Sequence, residues 1–131
     1  MSCMSPSGEY ESVCWFEASF DKPGGGVRYA VRRISLGRRI ELARRIREVA
    51  RGVEFFEASG DPREKLEAAV LAGEIDRVYL EWGLAAVEGL TIDGEAASPH
   101  GLIERGPLEL AMEIVARIKA ECGLSEGERK N

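Results

Sequence analysis

The chain has one histidine, His100, and three cysteines, Cys3, Cys14 and Cys122, far apart and odd in number. No Cys-x-x-Cys pair occurs, so the spacing of a zinc ribbon or a thioredoxin-type dithiol is missing. The cysteines read as three reduced thiols, with Cys14 and Cys122 at partly buried positions. His100 has no Ser, Cys or Asp partner at motif spacing, which makes it a surface or helix-start residue rather than a general base. Long apolar runs are absent too. None approaches the ~18 residues of a membrane span, and Met1–Gly8 lacks the basic and apolar regions of a signal peptide, so a cytoplasmic location is expected. Aromatic residues make up 7% of the chain and do not interleave with the basic ones, as stacking on nucleic-acid bases would require.

What remains is a globular composition. The chain has 131 residues, 44% hydrophobic and 31% charged, which suits one domain with a modest core. The formal charge is −5 but uneven: residues 1–51 hold 10 Lys/Arg against 6 Asp/Glu, and residues 52–131 hold 8 against 17. Such asymmetry can steer self-association or orient the domain on a charged partner. The acidic total argues against a nucleic-acid binder.

Residues 1–10 read as a disordered tail. From Ser12 the residues alternate, with Cys14, Phe16, Ala18 and Phe20 on one face, as in a half-buried strand. Asp21-Lys22-Pro23-Gly24-Gly25-Gly26 interrupts it. Val27, Tyr29 and Val31 resume a period near two, with Arg28, Arg32 and Arg33 mostly on the other side, so 12–34 is a β-hairpin. Its glycines lead into a strand and no Lys follows, unlike a phosphate-binding P-loop. The hairpin needs helices, or another subunit, to pack against, and its edges are open to pairing.

Ser35 can cap a helix over 36–58. Leu36, Ile40, Ala43, Ile46, Ala50 and Val53 form its apolar stripe, closed by Phe55 and Phe56, with a bend or early end possible at Gly52. The other face carries Arg38, Arg39, Arg44, Arg45, Arg47 and Arg51. With Arg32 and Arg33 this makes eight arginines within twenty positions. Two readings stay open beside the disfavoured one of nucleic-acid binding: a solvated face with local Glu41–Arg45 pairing, or a docking face for an acidic partner.

Asp61-Pro62-Arg63-Glu64 is a strong start for a helix over 62–88, with Asp61 as N-cap and Pro62 at the first position. Gly73 can kink or divide it. Tyr79 and Trp82 fall on its apolar face as core anchors. Thr91-Ile92-Asp93-Gly94-Glu95 is a tight turn; the further oxygens that a calcium loop needs beside Asp93 and Glu95 are missing. Ser98-Pro99 starts a short helix, 99–104. The last helix, 107–122, buries Leu108, Ala111, Met112, Val115, Ile118 and Cys122, widened by Leu110 and Ile114. Gly123 stops it, and 125–131 is a charged tail. The expected fold is α+β, mainly α: one domain over 11–124, an N-terminal β-hairpin packed on a bundle of about four helices. No catalytic constellation, cofactor motif or metal cluster is found, so the chain does not read as an enzyme.

Three blocks, in this order, carry a resemblance. The first is the hairpin leading through Arg32-Arg33-Ile34-Ser35-Leu36-Gly37-Arg38 into a long helix. The second is Leu80-Glu81-Trp82-Gly83-Leu84 followed by Val87-Glu88-Gly89-Leu90 and Ile92-Asp93-Gly94. The third is Gly106-Pro107-Leu108-Glu109-Leu110, then Glu113-Ile114 and the charged ending. Together they resemble the tail assembly chaperones of long-tailed bacteriophages, in a prophage-type version. The resemblance implies a non-enzymatic protein of the bacterial host cytoplasm that binds the tape measure protein, keeps it soluble and helps recruit tail tube protein around it. It also implies a homo-oligomer with no cofactor and no membrane. In many phages a frameshift near the C-terminus yields a longer product, and Ser125–Asn131 is similar to the region where such an extension joins. On this reading the candidate protein-contact residues are Arg38, Arg39, Arg45, Trp82, Ile92 and Asp93. The alternatives are another small phage structural or head–tail joining protein and, further off, an acidic nucleic-acid-associated regulator.

Overall fold

The computed structural model describes residues 10–19 and 26–122. The fold is α+β and mainly α. Strands β1 (Val13–Glu17) and β2 (Arg28–Arg32) form the expected antiparallel hairpin, with Phe16 opposite Tyr29 and Trp15 opposite Ala30. Cys14 and Ala18 face the core, and Trp15 stands on the outer face with the Arg28 guanidinium 4.8 Å from its ring centre. Among the described residues four helices follow: α1 (Leu36–Glu57), α2 (Pro62–Gly83), α3 (Pro99–Arg105) and α4 (Leu108–Cys122).

The helix starts follow the capping residues. Ser35 accepts from the Arg38 N–H, Asp61 from Arg63, and Ser98 from Gly101, each satisfying an amide that the helix leaves without a partner. Helix α1 runs unbroken through Gly52, where the Leu71 side chain occupies the space that a Cβ would take. Helix α2 runs unbroken through Gly73.

The expected helix over 62–88 needs correction. It ends at Gly83, and Leu84–Glu88 forms a third strand, β3, beside β2, giving the sheet order β1-β2-β3. Leu84-Ala85-Ala86-Val87 is compatible with helix by intrinsic propensity. Two tertiary facts override that. The edge of β2 that the hairpin leaves open offers a full set of backbone partners, and Gly83 lies against Ile118 of α4, with room for no side chain. A register shift between Ala30 and Val31 leaves Ala85 extra on β3, a bulge at the helix-to-strand switch. β2 thus becomes the central strand, with Tyr29, Ala30 and Val31 all buried.

Leu90 leads into a small second hairpin, β4 (Thr91–Ile92) and β5 (Glu95–Ala96). Asp93 and Gly94 form its two-residue loop with φ of 52° and 82°. Two successive positive φ values match the twist of paired strands, and Asp followed by Gly is a favoured way to reach them.

The core joins Tyr29 and Val31 of the sheet to Leu42, Tyr79, Trp82, Leu102 and the inner face of α4. Two expected stripes are rotated. In α1 the buried residue is Leu42, with Ile46 and Val49 partly covered, while Leu36 and Ile40 face solvent. Helix α1 packs chiefly on α2, so one neighbour fixes its inner face. In α4 the inner face is Leu110, Ala111, Ile114, Val115, Ile118 and Cys122, which leaves Leu108 and Met112 outside. Cys122 is a free, buried thiol, but Cys14 is disulfide-bonded, against the expectation of three reduced thiols. The expectation for Cys3 falls outside the described residues, and scattered cysteines carry no pairing signal in a sequence. Of the expected tail over 1–10 only Tyr10 is described, its ring centre 5.0 Å from the Arg33 guanidinium, and of the hairpin loop over 21–26 only Gly26, with φ of 91°; the tail over 125–131 and the Gly123 stop lie outside the described residues.

An added methyl at Gly83 meets three Ile118 carbons at 2.9–3.0 Å, whereas one at Gly73 meets nothing within 4 Å. Gly83→Ala should therefore destabilise the fold by ~1–3 kcal/mol. Gly73→Ala, in an exposed helix interior, should stabilise it by ~0.5–1 kcal/mol. Urea unfolding of the two variants against the parent measures both; equal midpoints would contradict the assigned helix end.

Candidate interaction surface

The arginines at the start of α1 do two different jobs. Arg38 lies across α2: its guanidinium is 4.6 Å from the Trp82 ring centre, and its Nη2 donates to the Trp82 carbonyl oxygen at 2.7 Å. That carbonyl belongs to the last turn of α2, where helix carbonyls lack intrahelical donors. A cation there also interacts favourably with the helix dipole. Arg45 donates to Glu81 of α2 at 3.4 Å instead of forming the expected local pair with Glu41. Arg39, Arg44, Arg47 and Arg51 are exposed and belong to none of the ion pairs among the described residues.

The structure therefore brings Arg38, Arg45 and Trp82 together at one end of the α1–α2 hairpin, as parts of the helix–helix contact. Trp82, 3% exposed, presents no surface to a partner. Arg39 faces solvent. Ile92 and Asp93 sit on the separate small hairpin: Ile92 is half-buried against the core, and Asp93 pairs with Arg105 of α3 at 3.4 Å. The six residues do not form one patch.

An apolar groove between α2 and α4 is a surface that the residue pattern did not single out. Val70 on α2 is 59% exposed, and Leu108 and Met112 on α4 are 74% and 45% exposed. Leu80, Ile103 and Ala111 also line the cavity of about 300 Å³ between them. Leu66 continues the α2 wall one turn away and is exposed as well. Charged side chains rim the groove: Arg77 reaches Glu104 at 2.5 Å and also pairs with Glu74 and Glu81, while Asp76 pairs with Lys119. The signal that could have found it is the width of the α4 stripe. Leu108, Leu110, Ala111, Met112, Ile114 and Val115 span a wider arc than one packed neighbour covers.

The chemistry of the interior is restrained. Among the described residues no three His, Cys, Asp or Glu side chains gather where a metal ion could be held, and no helix is long and apolar enough to cross a membrane. His100 is exposed near the start of α3. Glu113 of α4 accepts from the Ser19 amide at 3.1 Å and from the Tyr29 hydroxyl at 3.2 Å, tying α4 to β2 and to the segment that follows β1. Burial raises the Tyr29 pKa above its ordinary value, opposed by the Arg117 guanidinium. Burial also pushes the Cys122 thiol up to about 11, with Arg39 pulling the other way. Comparison with family models, with curated proteins and with solved structures yields no match for this chain.

Two outcomes follow. Arg38→Ala removes a charge-assisted hydrogen bond and a ring contact, and should cost about 1.5–3 kcal/mol in chemical denaturation; Arg39→Ala should stay within about 0.5 kcal/mol of the parent. The Cys122 thiol is held above its ordinary value of 9.0. Its neutral form therefore supports the fold fully below pH 9, and that support is lost as pH rises toward 11. The urea midpoint should fall more steeply across this window in the parent than in Cys122→Ala, and parallel profiles would show that the thiol does not contribute.

Proposed function

We propose that this protein is a non-enzymatic holding chaperone of the phage tail assembly type. Its client is the tape measure protein, seated in the groove between α2 and α4. The observation that carries the reading is the pairing of exposed apolar residues across that groove. Val70 lines it from α2, with exposed Leu66 one turn before it beyond the cavity lining, and Leu108 and Met112 line it four residues apart on α4. Leu66 and Val70 on one helix, and Leu108 and Met112 on the other, are each one helical turn apart, the spacing that receives the apolar stripe of an amphipathic helix. A long helical client with repeated apolar stripes supplies many such segments.

Methionine at the rim suits a holding role, because its unbranched side chain adapts to different client residues. The mixed charges around the groove keep the empty surface soluble without selecting a single sequence. Recruitment of tail tube subunits belongs to the same proposal through the family resemblance. The edge that β1 leaves unpaired among the described residues is the surface open to another subunit.

The test is co-expression with the tape measure protein of the same genome and recovery of soluble complex. The parent should keep the client soluble and co-purify with it. Val70→Glu and Leu108→Glu, both at exposed positions, should remain folded by circular dichroism and lose at least ten-fold in recovered client. Full recovery with both variants would remove the groove from the mechanism. An insoluble client beside soluble parent protein would remove the chaperone reading itself.

A further inference from the structure

A second cavity, of about 150 Å³, opens where the start of β1, the end of β2 and the first turn of α1 meet. Ser12, Arg32, Arg33 and Arg38 line it. The backbone brings these together: the Arg33 amide donates to the Ser12 carbonyl at 2.7 Å, continuing the β1–β2 ladder, and Ser35 caps α1 so that Arg38 falls in its first turn.

The lining is unusual in its charge. Among the described residues, three arginines share it with one serine and no carboxylate lines it. None of the ion pairs among the described residues includes Arg32, Arg33 or Arg38. Arg33 Nη1 and Arg38 Nε are buried and have no hydrogen-bond partner among the described residues. Buried donors without acceptors are rare in folded proteins, and guanidinium forks are shaped to receive oxyanions.

We propose that this cavity binds a phosphate-type oxyanion. Three positive charges favour a dianion over a carboxylate, which brings one negative charge. A tetrahedral anion also accepts donors from several directions, whereas a carboxylate accepts them close to one plane. The volume is several times the ~30 Å³ share of a water molecule and falls below the ~300 Å³ at which drug-sized ligand sites begin. It suits a single phosphoryl group rather than a whole nucleotide. The site is independent of the α2–α4 groove and shares no lining residue with it.

Isothermal titration calorimetry of the full chain at low ionic strength tests this, with inorganic phosphate as probe and acetate and chloride as comparators. Phosphate should bind saturably and at least ten-fold more tightly than either comparator. Arg32→Gln and Arg33→Gln should each weaken phosphate at least ten-fold, while Arg63→Gln, near the start of α2, should leave it unchanged. Arg32 is exposed, so its variant decides the matter if Arg33→Gln fails to fold. A parallel arm with O-phosphoserine separates the sources: tighter binding of inorganic phosphate assigns the free anion, and equal or tighter binding of phosphoserine assigns a phosphoryl group carried by a larger molecule. Phosphate no tighter than acetate, undiminished binding in folded Arg32→Gln, or an equal loss in Arg63→Gln would each overturn the proposal.

Discussion

The contact of Arg38 with Trp82 fixes where the helical and sheet parts of this protein join. The guanidinium covers the indole ring and holds the carbonyl of the same residue at 2.7 Å. One residue later α2 ends, and two residues later the chain is a strand beside β2. The beginning of α1, the end of α2 and the start of β3 are therefore tied by one side chain. Ile118 closes the same point from α4 by filling the space beside Gly83. Without a cation at the last turn of α2, the Trp82 carbonyl would meet the interior with one donor fewer, which buried backbone groups rarely tolerate.

How much of this was legible depended on the range of the interaction that decides it. Local signals read true. Ser35, Asp61-Pro62 and Ser98-Pro99 start helices because their caps act over two or three residues. Asp93-Gly94 makes its turn for an equally local reason. The third strand was not legible, because nothing within Leu84–Glu88 distinguishes it from more helix; the available edge of β2 decides, and that edge belongs to residues more than fifty positions earlier. The rotation of the α1 stripe has the same origin, since Leu42 is chosen over Leu36 by the placement of α2. The candidate contact residues divide likewise. Arg38 and Arg45 looked like surface charge, yet their partners, Trp82 and Glu81, lie on another helix. The groove required knowing which side of α4 the core uses.

The charge asymmetry is partly neutralised within the chain. Arg28 meets Glu88 and Arg45 meets Glu81, each pairing the basic first part with the acidic second part. These are exposed pairs, worth little singly, but they remove two arginines from any docking face. The remaining positive charge divides between the exposed residues Arg39, Arg44, Arg47 and Arg51 and the cavity lined by Arg32, Arg33 and Arg38. The apolar groove lies elsewhere, between helices rimmed by paired charges. Apolar contact and anion contact thus use different parts of the same small domain.

The α1–α2 hairpin is long for the core that supports it. From Ala43 to Glu67 no residue is fully buried, and Phe55 and Leu66 stand exposed. Over that length each helix has mainly the other to lean on. Regions with few buried apolar contacts open at free energies well below that of global unfolding. The distal half of this hairpin is therefore a separable unit of local opening. Its amides should lose protection from solvent exchange while those around Tyr79 and Trp82 keep theirs. The Arg38–Trp82 joint then acts as a boundary between a part of the molecule that breathes and a part that stays closed.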